Sequence, residues 1–170
     1  MYRWFAVVLV AVLACGCGHG SRAASGSDGA ATVVRIIDGD TIVAKVDDTE
    51  EHVRLIGIDT PETHKPGTPV ECYGPEASAH LAELIPPGSR VRLERDRDAR
   101  DVYGRLLAYV YRDDGLFLEL AMVRDGFAGP LAIAPNTAHR AALDGAAASA
   151  RAAGLGLWGA CGGFHVPGGG

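Results

Sequence analysis

Short stretches rich in valine and isoleucine occupy residues 31–37, 41–46 and 52–58. Asp-Gly-Asp and Asp-Asp sequences, which favour tight turns, separate these stretches, so they predict three strands in a meander. Two later segments, 90–95 and 105–111, alternate apolar residues with polar or charged ones. Such alternation is typical of strands with one buried face, which brings the predicted number of strands to five.

Three further segments carry apolar residues at helical spacing. They are residues 74–85, residues 116–125, and an alanine-rich stretch that starts at Asn136 or Thr137 as the N-cap and ends at Gly154. Five short strands with a helix between the third and the fourth match the order of an OB-type barrel. The sequence therefore predicts an α+β, mainly β, domain: a five-stranded OB-fold barrel with three α-helices.

The N-terminal residues are typical of an export signal. Residues 1–15 place an arginine before an apolar run that is too short to span a membrane. The residues before Cys15 resemble a lipobox, which predicts lipidation of Cys15; the alternative is an ordinary signal peptide. Residues 16–30 have the composition of a flexible linker. This division predicts one folded domain at 31–165 and a disordered tail at 166–170.

Cys72 and Cys161 are the two cysteines of the folded segment. In an exported chain, one remaining pair of cysteines usually forms a disulfide. The alternative is a pair of unrelated thiols, and no CxxC sequence or nearby histidine pair completes a zinc site. We therefore expect an extracytoplasmic protein, anchored to the membrane through lipidated Cys15 or secreted.

The charge pattern leaves the function open. The formal net charge of −5 argues against strong nonspecific adhesion to nucleic acid. Six arginines nevertheless lie between residues 90 and 105, interleaved with aspartates and a glutamate. Such a segment is either a solvated, salt-bridged surface or a track for phosphates.

Two short acidic turns each follow a predicted strand: Asp-Gly-Asp-Thr at 38–41 and Asp-Thr-Pro-Glu at 59–62. A hard divalent cation requires several oxygen ligands, which carboxylates at two adjacent strand ends can supply. One such turn taken alone is more often a plain hairpin connection. Two of them in one small domain make a metal site a stronger interpretation.

Two arginines fall near these turns, Arg54 inside the third predicted strand and Arg105 at the start of the fifth. A guanidinium group can neutralise the charge that builds on phosphoryl oxygens during phosphodiester hydrolysis. The alternative for either arginine is a surface ion pair. Regular alternation would place Arg54 and Asp59 on opposite faces of the strand, so a shared site requires the strand to bend or end between them.

Four ordered motifs resemble the signatures of the staphylococcal nuclease family. They are the Asp-Gly-Asp-Thr turn, Arg-Leu-Ile-Gly-Ile-Asp-Thr-Pro-Glu-Thr at 54–63, Tyr-Gly-Pro-Glu-Ala-Ser-Ala at 73–79, and Asp-Val-Tyr-Gly-Arg-Leu-Leu-Ala-Tyr at 101–109. The resemblance covers nearly all of the folded segment. It implies a small β-barrel enzyme that hydrolyses phosphodiester bonds with calcium.

Position by position, the resemblance implies a calcium site with Asp40 and Asp59 as side-chain ligands. The backbone carbonyl oxygen of Thr60 would complete the protein's share of the ligands, and Asp38 would lie close to the metal. Calcium in such a site acts as a Lewis acid and as a template for the attacking water.

The resemblance also implies the residues that act on the substrate. Glu62 would position or deprotonate the attacking water. Arg54 and Arg105 would bind the phosphate and stabilise the transition state, and Tyr103 would donate a hydrogen bond to a terminal phosphate. The histidines at 52, 64, 80, 139 and 165 match no catalytic role in the family, and His64, two residues after Glu62, is the only one whose location could matter.

Two departures from the family pattern concern substrate binding. Residues 130–135 contain no aromatic side chain, whereas the family's type member has two tyrosines there that flank the bound nucleotide. Val102 replaces a usual lysine. Base stacking contributes about 1–3 kcal/mol per base, so we expect weak nucleic-acid binding that falls steeply with salt.

The expected function is therefore calcium-dependent endonucleolytic and exonucleolytic hydrolysis of DNA and RNA. The resemblance implies cleavage of the 5′ O–P bond, which leaves 3′-phosphate products. The expected substrates are single-stranded or locally melted nucleic acids, and the expected oligomeric state is a monomer. The alternative is a binding module on the same barrel that has lost its activity.

Overall fold

The computed structural model describes residues 29–63, 67 and 69–168. These residues form seven strands and four helices. The strands are β1 (Gly29–Asp38), β2 (Thr41–Val46), β3 (Thr49–Leu55), β4 (Gly57–Asp59), β5 (Arg90–Glu94), β6 (Leu106–Arg112) and β7 (Gly129–Leu131). The helices are α1 (Gly74–Leu84), α2 (Leu118–Arg124), α3 (Arg140–Ala152) and α4 (Leu157–Ala160).

Five of the strands close into a barrel in the order β1-β2-β3-β6-β5. Neighbouring strands are antiparallel except for β3 and β6, which run parallel. The short strands β4 and β7 form a separate antiparallel pair. The predicted five-stranded OB-type barrel is confirmed, with α1 between its third and fourth strands.

One hydrophobic core joins the barrel interior to the helices. Helix α1 packs against β1, and α2 packs against both β6 and α3. Fully buried members of this core include Ile42, Val53, Leu55, Leu81, Val110, Leu118 and Met122. Each such side chain contributes about 1.5–3 kcal/mol through burial, so the core fixes the strand ends from which the polar site residues project.

The third predicted strand, 52–58, is divided in the structure. Strand β3 ends at Leu55, Ile56 forms a turn, and β4 begins at Gly57. The φ angle of Gly57 is +87°, and a Cβ atom there would lie 2.7 Å from Leu143 Cδ1. Only glycine meets both conditions without strain. This turn is the bend that a shared site for Arg54 and Asp59 requires.

The third helix begins later than predicted. Its N-cap is His139, and no side chain caps it. Asn136 instead lies buried at 4% exposure, where its Oδ1 atom accepts hydrogen bonds from the backbone N–H groups of Arg97 and Asp98. Asn136 therefore fixes a loop rather than a helix end. The short helix α4 is an addition to the three predicted helices.

A disulfide joins Cys72 to Cys161, across a sequence separation of 89 residues. The structure describes the chain beyond it as far as residue 168, and residues 169–170 of the predicted tail lie outside the described residues. Cys72 N–H donates to the Val166 carbonyl at 2.8 Å, and Gly168 N–H donates to the Val70 carbonyl at 3.0 Å. Residues 166–168 are thus hydrogen-bonded to residues 70–72.

At the other end, strand β1 begins at Gly29, so the last two residues of the predicted linker belong to the barrel. The predicted signal segment, Cys15 and the rest of the linker lie outside the described residues. Within the described part of the chain, no helix is long and apolar enough to cross a membrane.

Glu119 is a carboxylic acid in the core. It is 0% exposed, and its two carboxylate oxygens lie 3.0 and 3.1 Å from Val110 N. Burial raises the pKa of Glu119 well above its ordinary value, although the hydrogen bond from Val110 opposes the shift. The Glu119 carboxyl group therefore stays protonated to a higher pH in the folded protein than in the unfolded chain.

We expect the substitution Glu119→Gln to make the protein more stable relative to wild type as pH rises. The wild type loses about 1.4 kcal/mol of unfolding free energy per pH unit between the unfolded pKa, about 4.3, and the raised folded pKa. Glutamine does not ionise and escapes this loss. Urea unfolding between pH 4 and 8 measures the difference, with the exposed Glu76→Gln as control, and a difference that stays constant with pH would refute the assignment.

Candidate active site

The two acidic turns lie side by side at one end of the barrel. Asp40 Oδ2 accepts hydrogen bonds from Thr60 N–H at 3.1 Å and from Thr60 Oγ1 at 3.0 Å. A Cβ atom on Gly39 would lie 2.8 Å from Thr60 Cγ2, so the glycine between the two aspartates permits this approach. The sequence Asp-Gly-Asp thus brings the end of β1 against the end of β4.

Arg54 links the two turns. Its Nη1 atom forms an ion pair with Asp40 Oδ1, and its Nη2 atom donates to Asp59 Oδ1 at 3.0 Å. Nη2 also lies 3.0 Å from the Ile58 carbonyl oxygen. Because the bend at Gly57 reverses the alternation of side chains, Arg54 and Asp59 share one face. The guanidinium group therefore sits between two carboxylates, with 15% of its side chain exposed.

Burial changes the acidity of the groups around this ion pair. It raises the pKa of Asp38, and the opposing effect of the Arg54 guanidinium does not compensate fully. Asp38 Oδ1 also accepts a hydrogen bond from Asp40 N–H at 3.1 Å, which fixes the turn. Burial likewise lowers the pKa of Arg54, although the Asp59 carboxylate counteracts it. An arginine stays protonated under any working condition, so the site keeps a fixed positive charge.

Glu62 lies on the same cleft, which has a volume of about 270 Å³ and is also lined by Asp38, Asp40, Arg54, Asp59 and Arg105. The backbone of Glu62 is held because its N–H donates to Glu71 Oε2 at 2.9 Å. Its carboxylate accepts a hydrogen bond from Thr63 N–H at 2.9 Å. A carboxylate, two guanidinium groups and the aspartate pair thus face one polar space.

Arg105 precedes β6 and is held by Asp101. Asp101 accepts hydrogen bonds from Arg105 Nε at 2.7 Å and from Arg105 N–H at 3.0 Å. Although burial opposes it, these hydrogen bonds lower the pKa of Asp101. Tyr103 lies on the same loop, with its ring centroid 5.6 Å from the guanidinium carbon of Arg105 and 82% of the residue exposed. Tyr103 is thus largely exposed beside Arg105 and does not itself line the polar cleft.

A second cavity of about 250 Å³ adjoins the polar cleft and shares Arg54 and Arg105 with it. Its walls are mainly apolar and include Leu131, Ile133, Ala134 and Pro135, with Tyr103 at the rim. The segment in which the sequence lacks aromatic residues thus forms a wall of the space beside Arg54 and Arg105. Aliphatic side chains can contact a nucleobase, but a nucleobase cannot stack on them as it does on an aromatic ring.

The donor set fits a hard cation. Asp40 and Asp59 both contact the Arg54 guanidinium, and Thr60, whose backbone N–H donates to Asp40, lies at the same end of the barrel. Calcium prefers such carboxylate and carbonyl oxygens. Among the residues that the structure describes, no group of three or more His, Cys, Asp or Glu side chains has metal-binding geometry. The calcium site with Asp40, Asp59 and the Thr60 carbonyl oxygen therefore stays a prediction.

Most of the arginine-rich segment 90–105 forms ion pairs. Arg90 pairs with Asp113, Arg92 with Glu94, Arg100 with Glu51, and Arg105 with Asp101. Of these four arginines, Arg105 alone lines the polar cleft. The segment is therefore largely a salt-bridged surface, and it contributes one arginine to the site.

The sequence interpretation missed two residues at this site, Glu71 and His165. Glu71 holds the Glu62 backbone, and His165 Nε2 lies 3.2 Å from Asp59 Oδ2. His165 is 106 positions after Asp59, and no local motif marks it. The wide spacing of the two cysteines was the one available signal, because their disulfide returns the C-terminal segment to this end of the barrel. His64 lies outside the described residues.

A closed five-stranded barrel with paired acidic turns and two arginines at one end defines a small β-barrel protein whose polar cleft combines carboxylates with guanidinium groups. A sequence model described as "Staphylococcal nuclease homologue" matches residues 52–160. The chain belongs to the staphylococcal nuclease family.

Comparison with individual proteins gives the same result. The chain is 44% identical over 126 residues to "Thermonuclease" of Staphylococcus intermedius, and the aligned region covers 74% of each protein. It is 39% identical over 126 residues to "Thermonuclease" of Staphylococcus hyicus, covering 74% of this chain and 73% of the relative. It is 43% identical over 110 residues to "Endonuclease YncB" of Bacillus subtilis (strain 168), covering 64% and 51%.

Proposed function

We propose that this protein is a calcium-dependent nuclease that hydrolyses the phosphodiester bonds of DNA and RNA. The observation that carries the proposal is the convergence of Asp40, Asp59, Glu62, Arg54 and Arg105 on one cleft. Family membership and the thermonuclease and endonuclease relatives make it a nuclease. The complete set of acidic and basic groups favours an enzyme over a binding module, because binding alone requires no acid–base residue.

Each group has a chemical role that follows from its position. The fork of Arg54 and the partly exposed Arg105 face the cleft from two elements and would bind the non-bridging phosphoryl oxygens. Glu62, held by its backbone contact with Glu71, would accept the proton of the attacking water or orient that water. Asp40, Asp59 and the Thr60 carbonyl would hold calcium, which would supply Lewis-acid stabilisation of the phosphoryl oxygen.

The proposed bond cleavage is that of the 5′ O–P bond, which leaves 3′-phosphate and 5′-hydroxyl ends, as the family resemblance implies. Tyr103, which lines the adjoining cavity, would donate a hydrogen bond to a terminal phosphate in an exonucleolytic component of the activity. End analysis of digested single-stranded DNA tests this assignment. We expect products that polynucleotide kinase labels at the 5′ end without prior phosphatase treatment; products that require phosphatase first would contradict it.

The substrate preference follows from the apolar cavity beside the arginines. A wall of Leu131, Ile133, Ala134 and Pro135 accommodates an unpaired base but provides no stacking, so we propose single-stranded or locally melted DNA and RNA as substrates. The net charge of −5 adds no long-range attraction for the polyanion. We propose a monomer that acts outside the cytoplasm, because the Cys72–Cys161 disulfide suits an oxidising compartment. Membrane attachment would depend on Cys15.

The proposed metal site predicts that Asp59→Asn weakens calcium binding by more than about 100-fold. Loss of outer-shell partners typically costs about 10–100-fold, and a direct ligand contributes more. Isothermal titration of the purified protein with calcium measures the affinity. The exposed Asp113→Asn is the matched control, and calcium binding that is unchanged by Asp59→Asn would refute the site. A wild type that binds nucleic acid but cleaves none would favour the binding module.

A further inference from the structure

The C-terminal segment 162–168, here called the strap, lies across the active-site end of the barrel. The disulfide at Cys161 holds the start of the strap, and backbone hydrogen bonds between the strap and residues 70–72 hold its end. In its middle, the Phe164 ring lies against Gly129, since a Cβ there would be 3.2 Å from Phe164 Cε2. Gly129 is the residue that pairs with Asp59 between β7 and β4. The strap is thus fixed directly beside a proposed metal ligand.

The strap presents His165 to two carboxylates. Its Nε2 atom lies 3.2 Å from Asp59 Oδ2, and its Nδ1 atom lies 3.0 Å from Glu71 Oε2. His165 has a φ angle of +55°, in the left-handed region that few non-glycine residues adopt. Backbone of this kind persists where the surrounding structure imposes it, often at functional sites. Both ring nitrogens therefore have partners in the active site.

These two contacts connect His165 to the proposed metal site and, indirectly, to the proposed water-activating residue. While Oδ2 of Asp59 contacts His165, Oδ1 accepts a hydrogen bond from Arg54, which also pairs with Asp40. Both Glu71 oxygens lie near His165 Nδ1, at 3.2 and 3.0 Å, and the nearer one, Oε2, also accepts the hydrogen bond from Glu62 N–H. One imidazole ring therefore restrains a proposed metal ligand and, through Glu71, the backbone of the proposed water-activating residue.

We propose that His165 is a positioning residue of the active site, which orients the Asp59 carboxylate for the cation and fixes Glu71 beneath Glu62. In this role it acts through Asp59 and Glu71 and would contact neither the substrate nor the metal. Partners of this kind in the outer shell of a metal site typically change metal affinity or activity by about 10–100-fold. The proposal rests on the calcium site of the proposed function.

The test compares four forms of the full chain: wild type, His165→Ala, His165→Gln and His165→Asn. A glutamine amide nitrogen lies near the position of Nε2 and can serve Asp59, whereas an asparagine amide nitrogen lies near Nδ1 and can serve only Glu71. Calcium affinity by isothermal titration and kcat and KM on single-stranded DNA are measured for each form. The exposed His52→Ala is the control.

We expect His165→Ala to weaken calcium binding and to lower kcat by about 10–100-fold, with KM for DNA unchanged. We expect His165→Gln to recover calcium affinity and His165→Asn to recover little of it. Wild-type affinity and kcat in His165→Ala would overturn the proposal. Equal losses in all three variants, accompanied by a lower Tm, would also overturn it, because they would indicate a purely structural role.

The design separates this proposal from the proposed function. A wild type that binds no calcium but cleaves DNA would refute the proposed metal. The positioning role of His165 would then be tested by the kcat values of its variants alone. In that case an unchanged kcat in His165→Ala would overturn the positioning role, and a loss in His165→Ala that His165→Gln reverses would support it.

Discussion

Replacing Arg54 by lysine is expected to lower kcat for DNA hydrolysis by about 10³–10⁵-fold, the range by which a transition-state arginine accelerates phosphoryl transfer. In the folded protein, Arg54 contacts Asp40, Asp59 and the Ile58 carbonyl with two nitrogens of its fork. Lysine offers one point charge and cannot reproduce this geometry while also facing a phosphate. Single-turnover cleavage of single-stranded DNA at saturating calcium measures the effect.

Arg90→Lys is the matched control, because Arg90 pairs with Asp113 on the surface and does not line the cleft. It should leave kcat unchanged. Circular dichroism and thermal unfolding should show that Arg54→Lys remains folded. A loss in kcat below tenfold in a folded Arg54→Lys protein would mean that Arg54 serves the stability of the two turns and not the reaction.

Removing the disulfide is expected to cost about 4–5 kcal/mol of unfolding free energy on the chain-entropy model. Cys72 and Cys161 close a loop of 89 residues that contains most of the folded domain, so the unfolded chain gains much freedom without it. Urea unfolding of the double variant Cys72→Ser, Cys161→Ser measures the change. This loss is a large part of the roughly 5–15 kcal/mol of stability of a typical domain.

Reduced wild-type protein serves as a second sample for this experiment, since it lacks the crosslink but keeps both sulfur atoms. It should lose nearly the same stability as the double variant. A loss below 1 kcal/mol in both would show that the reduced, unfolded chain is already restricted or that the crosslink strains the folded state.

The sequence was sufficient to predict the barrel because its strands follow simple rules. Val91 and Leu93 point inward while Arg90 and Arg92 point outward, as period-two alternation requires. Two acidic turns and two arginines, taken with the order of four motifs, were also enough to predict which side chains would share a cleft. These features depend on local sequence and on strand ends that the fold brings together.

Features set by distant contacts were not predictable in the same way. Asparagine is a common helix N-cap, but the side chain of Asn136 accepts hydrogen bonds from the backbone N–H groups of residues 97 and 98 instead of capping α3. Glu119 is buried although helix periodicity alone gives no reason to bury a carboxyl group. His165 reaches Asp59 only through the disulfide and the strap. In each case a tertiary contact decides the position of a polar side chain.

The release of acid-soluble nucleotides from single-stranded DNA, with calcium or with excess EGTA, tests the central claim most directly. The samples are wild type, Glu62→Gln and the exposed control Glu76→Gln. We expect wild type and Glu76→Gln to be active only with calcium, and Glu62→Gln to be slower by about 10²–10⁴-fold, the usual contribution of a general base. Activity that survives EGTA, or a Glu62→Gln protein as active as wild type, would contradict a calcium-dependent nuclease that uses Glu62.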